Sequence, residues 1–232
     1  MIKLVIFDIA GTIVDHGCLS VFKAFREFCD EECIEVSDSE IRSHTGLGKD
    51  EHLRELCKDK YSADLYRKFL PKLRSKVAEH SKIIDGVLDV TEYLRNRKIK
   101  IGVTTGFDRS TMNMVLGSLK SQGFEPDCYI CRDDVGIGRP SPWMIFRTME
   151  RLGIDRVNEV IKVGDTRADI LAGKNAGIHS SIGVIKSSSI LGLSEDEWRD
   201  SVAKSILINR AREEYIGADV IIGSIIEVIQ YV

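Results

Sequence analysis

Asp8 closes an apolar run, Leu4-Val5-Ile6-Phe7, and is followed at once by Ile9-Ala10-Gly11-Thr12. A carboxylate so placed can attack phosphorus and form an acyl-phosphate. Small residues behind it let backbone N–H groups approach phosphate oxygens. The same pattern also fits an acid that merely turns the chain at a strand end. A second segment, Gly164-Asp165-Thr166-Arg167-Ala168-Asp169, carries two acids four apart after another apolar run. That pair suits magnesium, a hard cation with carboxylate and water ligands; the alternative is an Asp that caps a helix. Three acids converging on one rim repel each other unless a cation sits among them, so the two segments together favour the metal reading.

Lys49 and His52 add a different chemistry. They lie in Thr45-Gly46-Leu47-Gly48-Lys49-Asp50-Glu51-His52. A lysine whose pKa is lowered by desolvation or by a nearby positive charge can form an imine with a carbonyl. His52, three residues on, shares a helix face with it and could move protons during imine formation and release. Most lysines are simply solvated, and a histidine can equally be a packed or surface residue. The residues alone leave both readings open.

The elements that position these groups follow from periodicity. Lys3 to Asp8, Lys100 to Thr105, Ile161 to Asp165 and Ser181 to Ile185 are apolar, rich in β-branched residues and bounded by Gly or Asp, as buried parallel strands are. Tyr129 to Arg132 and Asp219 to Ile222 are two shorter candidates. Helical stretches separate them: Arg109 to Ser121, Pro142 to Leu152, and Ala168 to Ala176, the last stopped by Gly177. This alternation predicts an α/β fold with a doubly wound parallel sheet, in which ligands bind at strand carboxyl ends. Asp8, Thr105 and Asp165 all fall at such ends. Residues 16–80 break the alternation with helical patterns only: Leu19 to Cys29, Ser39 to His44 with an N-cap near Ser37, Lys49 to Lys58, and Ala63 to Glu79. That interval reads as an inserted helical cap, with residues 1–15 and 81–232 as the core. Ser194-Glu195-Asp196-Glu197 has the form of a capping box opening a helix that runs to about Tyr215.

Composition narrows the function classes. The chain has 232 residues, 43% hydrophobic and 30% charged, which is ordinary for a globular protein with a packed core. A net charge of −3 provides no basic footprint for nucleic acid. No apolar run reaches the length of a membrane span, and the first strand begins too early for a signal peptide, so a cytoplasmic location is expected. Of the six cysteines, Cys128 and Cys131 have C-x-x-C spacing. In a strand they would point to opposite faces, and no second pair follows, so a zinc site is not expected. Cys29 and Cys33 lie one helical turn apart. All six read as free thiols, buried or half-buried.

The acid set as a whole resembles the haloacid dehalogenase superfamily, across essentially the full chain. The resemblance implies Asp8 as nucleophile, Thr105 as a phosphate-binding hydroxyl, Arg139 as the basic group of the third motif, and Asp165 and Asp169 as metal-binding acids. Phosphatases of that superfamily carry an Asp two residues after the nucleophile to protonate a leaving oxygen. Here the position is Ala10, which cannot donate a proton, so ester hydrolysis should be poor. A narrower resemblance, to the phosphonatases (phosphonoacetaldehyde hydrolases), accounts for the change. It rests on Asp8-Ile9-Ala10-Gly11-Thr12-Ile13-Val14-Asp15-His16-Gly17-Cys18, Gly46-Leu47-Gly48-Lys49-Asp50-Glu51-His52, Thr104-Thr105-Gly106-Phe107, Asp133-Asp134-Val135-Gly136-Ile137-Gly138-Arg139-Pro140 and Ile161-Lys162-Val163-Gly164-Asp165-Thr166, all in the family's order.

That family cleaves a carbon–phosphorus bond beside an aldehyde, and its cap lysine forms a Schiff base; Lys49 is the matching residue. The resemblance implies Mg2+ held by Asp8, the Ala10 carbonyl, Asp165 and Asp169. It implies a small phosphonate substrate met by Thr12, Cys18, Gly46, Thr105, Gly106 and Arg139, with catalysis by Asp8, Lys49 and His52. It also implies a homodimer paired through the cap. This chain departs from the family pattern at Ile9 (Trp), Thr45 (Met), Phe107 (Tyr) and Ser141 (Tyr), and its segment between His52 and Ile84 is shorter, so the pocket is expected to be reshaped around unchanged core chemistry. Two rivals predict other behaviour: a phosphate-ester hydrolase or phosphoryl transferase would not need Lys49, and a binding protein on the same fold would not need Asp8.

Overall fold

The structure is a computed structural model; it describes residues 1–15, 18–185, 187–188 and 201–232, with the backbone alone over 201–206. Six strands form one parallel sheet: β1 Leu4–Phe7, β2 Lys100–Thr104, β3 Cys128–Ile130, β4 Val160–Gly164, β5 Ser180–Val184 and β6 Val220–Ile222. Their order is β3-β2-β1-β4-β5-β6. The chain winds outward from β1 in one direction and from β4 in the other, so the order reverses between β1 and β4. A crevice opens there at the strand carboxyl ends. Asp8, Thr105 and Asp165 each follow the last residue of their strand, as the apolar runs predict.

Alternating side chains build the two faces. Val5 and Phe7 join the large cluster shared with Val90 and Leu94 of α5 (Val87–Asn96) and with Met112 and Leu119 of α6 (Arg109–Ser121). Leu4 and Ile6 point the other way, onto Ile145 and Met149 of α7 (Trp143–Leu152) and Ala172 and Ala176 of α8 (Arg167–Ala176). Both faces are covered, which is why β1 is apolar at every position rather than at alternate ones. Gly177 ends α8 in a left-handed conformation, φ 64°, as expected of a helix stop. A final helix, α9, spans Ser201–Glu214. The capping box expected at 194–197 lies outside the described residues, as do His16 and Gly17 of the first motif.

Between β1 and α5 lie α1 (Leu19–Glu31), α2 (Asp38–Ser43), α3 (Lys49–Cys57) and α4 (Ala63–Glu79). Ser37 caps α2 reciprocally: its hydroxyl accepts from Glu40 N, and Glu40 accepts from Ser37 N at 2.8 Å. Phe25 of α1 stacks on Phe69 of α4 at 4.4 Å, and Phe28 meets Phe69 edge-on at 5.3 Å. Truncating such a buried Phe costs about 3–5 kcal/mol, so this aromatic knot is what holds the helices together.

Two expectations shift. The strand expected over Tyr129 to Arg132 is Cys128–Ile130, because Arg132 turns away and its N–H donates to Phe107 O rather than to the sheet. Cys33 is exposed rather than buried or half-buried; α1 ends at Glu31 and Cys33 takes φ 51°, which carries it off the helix. Cys128 and Cys131 join different hydrophobic clusters, in keeping with opposite faces, and all six thiols are free.

Candidate active site

Asp8, Asp165 and Asp169 are buried, and one oxygen of each lies within 4.8 Å of the others. Pairing of β1 with β4 puts Asp8 and Asp165 side by side. Asp169 joins them from the first turn of α8. There Thr166 is the N-cap, its hydroxyl accepting from Asp169 N at 3.3 Å and donating to Asp169 Oδ2 at 2.6 Å. The Thr12 hydroxyl donates to Asp165 Oδ1 at 3.2 Å. The backbone carbonyl of Asp165 accepts from Tyr215 Oη at 2.8 Å and from Ser188 Oγ at 3.0 Å.

Two buried cations pair with two of these acids. The Arg139 guanidinium donates to Asp8 Oδ1 at 2.6 Å and to Asp169 Oδ1. Lys162, in the middle of β4, lies 2.8 Å from Asp169 Oδ1. Burial raises the Asp8 carboxyl, and the Arg139 charge only partly offsets that. Burial would raise Asp169 too, but Arg139, Lys162 and the Thr166 hydrogen bond outweigh it and hold the group at about 2. Burial opposes the charge on Arg139, and its two carboxylates restore it beyond the ordinary value. An all-oxygen, carboxylate-rich cluster is the donor set a hard divalent cation takes. The three carboxylates, two following strand ends and one in the first turn of α8, are the residues that could hold such an ion.

Lys49 is the first residue of α3 and is only 5% exposed. Its Nζ lies 3.5 Å from the Leu47 carbonyl and 5.6 Å from the centre of the Phe107 ring. Burial lowers its pKa; Arg139 acts in the same direction, while Cys18, Asp8 and Asp165 act against it. The segment leading to it rests directly on the core. A Cβ on Gly46, which has φ 99°, would lie 2.5 Å from the Thr166 hydroxyl. A Cβ on Gly106 would strike the Leu47 carbonyl, so the close approach requires glycine at both places.

The remaining expected residues fall around this centre. Cys18 is buried at the start of α1, and burial, followed by Asp15, pushes its thiol well above the ordinary range. Thr105 is buried at the end of β2, and its hydroxyl accepts from Phe107 N at 3.2 Å. Ala10 is half-buried in the turn after Asp8. His52 packs inside the helices, its ring 3.8 Å from that of Phe25. Burial, then Lys49 and His44, push its pKa well below the ordinary value, and the Ile41 backbone beside it acts weakly the other way. Of the four departures, Ile9 and Phe107 are buried, and Phe107 forms the floor beneath Lys49. A cleft of about 450 Å³ between Leu19 and Ile83, also lined by His80 and Ile225, lies away from the acid cluster.

Three residues at the centre escape a reading of the sequence. Lys162 left a signal: a charge in the middle of an apolar strand is costly to bury unless paired. Ser188 sits in what reads as a short polar loop and Tyr215 at the end of a helix, and neither pattern points to the Asp165 carbonyl.

Comparison with known proteins follows the same lines. A family described as haloacid dehalogenase-like hydrolase matches residues 5–183. A phosphonoacetaldehyde hydrolase of Bacillus cereus (strain B4264) is 38% identical, the match covering 93% of this chain and 88% of that one. One from Bacillus cytotoxicus is 36% identical over all of this chain and 96% of its own. The crystal structure of a phosphonoacetaldehyde hydrolase-like protein from Oleispira antarctica superposes with a TM-score of 0.92 at 30% identity, covering 99% of this chain and 92% of that one. A β-phosphoglucomutase from Clostridium difficile shares the fold alone, with a TM-score of 0.75 at 19% identity over 100% of this chain and 96% of the other.

Proposed function

Given that the chain belongs to the haloacid dehalogenase-like hydrolases and is a hydrolase of that family, we propose that it cleaves the carbon–phosphorus bond of phosphonoacetaldehyde to acetaldehyde and phosphate. The observation that carries this reading is Lys49: a buried amine of lowered pKa that feels the charges of Arg139, Asp8 and Asp165, in a chain whose residue 10 is Ala and offers no acid for an oxygen leaving group. A carbanion leaves phosphorus poorly. An iminium next to it takes up the electron pair, so the carbon departs as an enamine.

In this reading the neutral Lys49 amine adds to the aldehyde, and the resulting carbinolamine takes up a proton from solvent and loses water to form a protonated imine. Asp8, with Oδ1 held by Arg139, attacks phosphorus through its other oxygen. The carbon–phosphorus electron pair moves into the iminium, leaving an enamine on Lys49 and an aspartyl-phosphate on Asp8. The enamine takes a proton at carbon, and water then hydrolyses the resulting imine, releasing acetaldehyde and the Lys49 amine. Water also hydrolyses the aspartyl-phosphate to phosphate. His52, buried on α3 with its pKa lowered by burial and by Lys49, is the proton carrier in this reading.

Asp8, the Ala10 carbonyl and Asp165, with Asp169 directly or through water, would hold magnesium, which would supply neutralisation of phosphoryl charge. Arg139, Thr105, Thr12 and the Gly106 backbone hold phosphoryl oxygens, while Cys18 and Gly46 line the aldehyde end. Residues 16–80 act as a cap over a core of 1–15 and 81–232, and two chains pair through their caps. Among the described residues no helix is long and apolar enough to cross a membrane, and cytoplasmic action belongs to the same proposal. The test is phosphate release from phosphonoacetaldehyde with Mg2+ by the wild type and by Lys49→Arg, which keeps the charge but forms no imine. Release by the wild type alone supports the reading. Equal release by both would overturn it in favour of ordinary phosphate-ester chemistry.

A further inference from the structure

Arg132 opens the turn after β3, and its side chain crosses to α3. Its Nη2 and Nε donate to Glu51 Oε1 at 2.6 and 3.2 Å, and its Nη1 donates to the Val135 carbonyl at 3.1 Å. Glu51 Oε2 in turn accepts from the Gly48 N–H at 3.2 Å. The aliphatic stem of Arg132 runs between two glycines: a Cβ on Gly48 would lie 2.9 Å from its Cδ, and one on Gly138 would lie 2.8 Å from it. The Arg132 backbone N–H donates to Phe107 O at 3.1 Å.

One residue therefore touches three segments at once. Gly48 precedes Lys49, Gly138 precedes Arg139, and Phe107 lies beneath the Lys49 amine. The side chains of the pair are 20% and 31% exposed, and two donors of one guanidinium meet one carboxylate, an arrangement stronger than an open surface pair. Lys49 and Arg139 come from chain segments far apart in sequence. A misplacement of about 1 Å between such groups can cost roughly a hundredfold in rate.

We propose that Arg132, paired with Glu51, is a positioning residue that fastens the Lys49 segment onto the Arg139 segment and so sets the amine over the acid cluster. Its catalytic meaning rests on the imine role proposed for Lys49. The fastening itself does not, and the test separates the two.

The full chain with Mg2+ is methylated with formaldehyde and cyanoborohydride, and the rates at Lys49 and at the exposed Lys100 are read by peptide mass spectrometry. In Arg132→Met, which keeps the stem and loses the charge, Lys49 should react about fivefold faster with Lys100 unchanged. Arg132→Lys should fall between, and Arg132→Met with Glu51→Gln should be no faster than Arg132→Met alone. KM for phosphonoacetaldehyde should rise in the same order while the half-saturating Mg2+ concentration stays put. Methylation of Lys49 at the wild-type rate in Arg132→Met would overturn the proposal. Failure of borohydride and acetaldehyde to modify Lys49 in the wild type would instead overturn the imine role, and the methylation rates would still decide the fastening.

Discussion

Lys162 Nζ lies 2.8 Å from Asp169 Oδ1, and neither side chain is exposed to solvent. The lysine reaches its partner from within β4, so an ammonium is held under the sheet end with a carboxylate above it. Arg139 shares the same oxygen. Two cations thus offset part of the charge of three acids before any metal ion or substrate arrives.

Replacing Lys162 by Met should lower stability by about 2–3 kcal/mol, somewhat less than the usual cost of breaking a buried pair because Arg139 remains. Urea unfolding measures this directly. Adding Asp169→Asn to Lys162→Met should recover part of the loss, and strict additivity of the two would show that the pair is not coupled.

Acid should act through the same group. Asp169 is held at about 2 in the folded chain, below the roughly 3.9 of an unfolded Asp. Its contribution is therefore fully present above about pH 4 and is lost as pH falls toward 2. In Lys162→Met the folded pKa rises, so that loss should be smaller. Unfolding midpoints of the two proteins across this range, read against Asp169→Asn, provide the check.

Lys49 sets a different pH dependence. Its pKa is lowered below 10.5 by burial and by Arg139, so the neutral amine appears at lower pH than for an ordinary lysine. Turnover should rise with pH through that lowered value. Arg139 also pairs with Asp8, so its loss cannot be read in rate alone. The rate at which borohydride and acetaldehyde trap Lys49 in Arg139→Met should show the inflection displaced upward, since a positive neighbour has gone. An unmoved inflection would leave burial as the whole cause.

Gly106→Ala tests the approach of the two halves. The added methyl meets the Leu47 carbonyl, a backbone atom that cannot rotate away. The Lys49 segment should be pushed off the core, with turnover falling about a hundredfold. Thermal unfolding should move little by comparison, since the methyl meets a backbone carbonyl and not a side chain of the core. A variant of normal activity would show that the contact is not needed.

Removing divalent metal with EDTA should abolish phosphate release, and Mg2+ should restore it. Mg2+ at about a hundred times its dissociation constant should also stabilise the fold by about 2.7 kcal/mol. Asp165→Asn should lose that thermal shift, a readout independent of turnover.

Much of this was written in local sequence. Apolar runs ending in Asp8 and Asp165 state a parallel sheet with acids on its carboxyl rim, because a strand buried on both faces can be apolar throughout and must change character where it emerges. Gly46 and Gly48 just before Lys49 mark a segment that something approaches closely. Tertiary structure alone decided the rest. Lys49 is one of many lysines until its segment rests against Gly106 and Thr166 and its side chain is buried. Spacing leaves His52 either a proton carrier or a packed histidine, and only the fold buries its ring against Phe25 and lowers its pKa. Tyr215 and Ser188 meet the Asp165 carbonyl, and Arg132 meets Glu51, across separations of 50, 23 and 81 residues. No periodicity encodes such pairs, because each partner satisfies its local pattern equally well without the other.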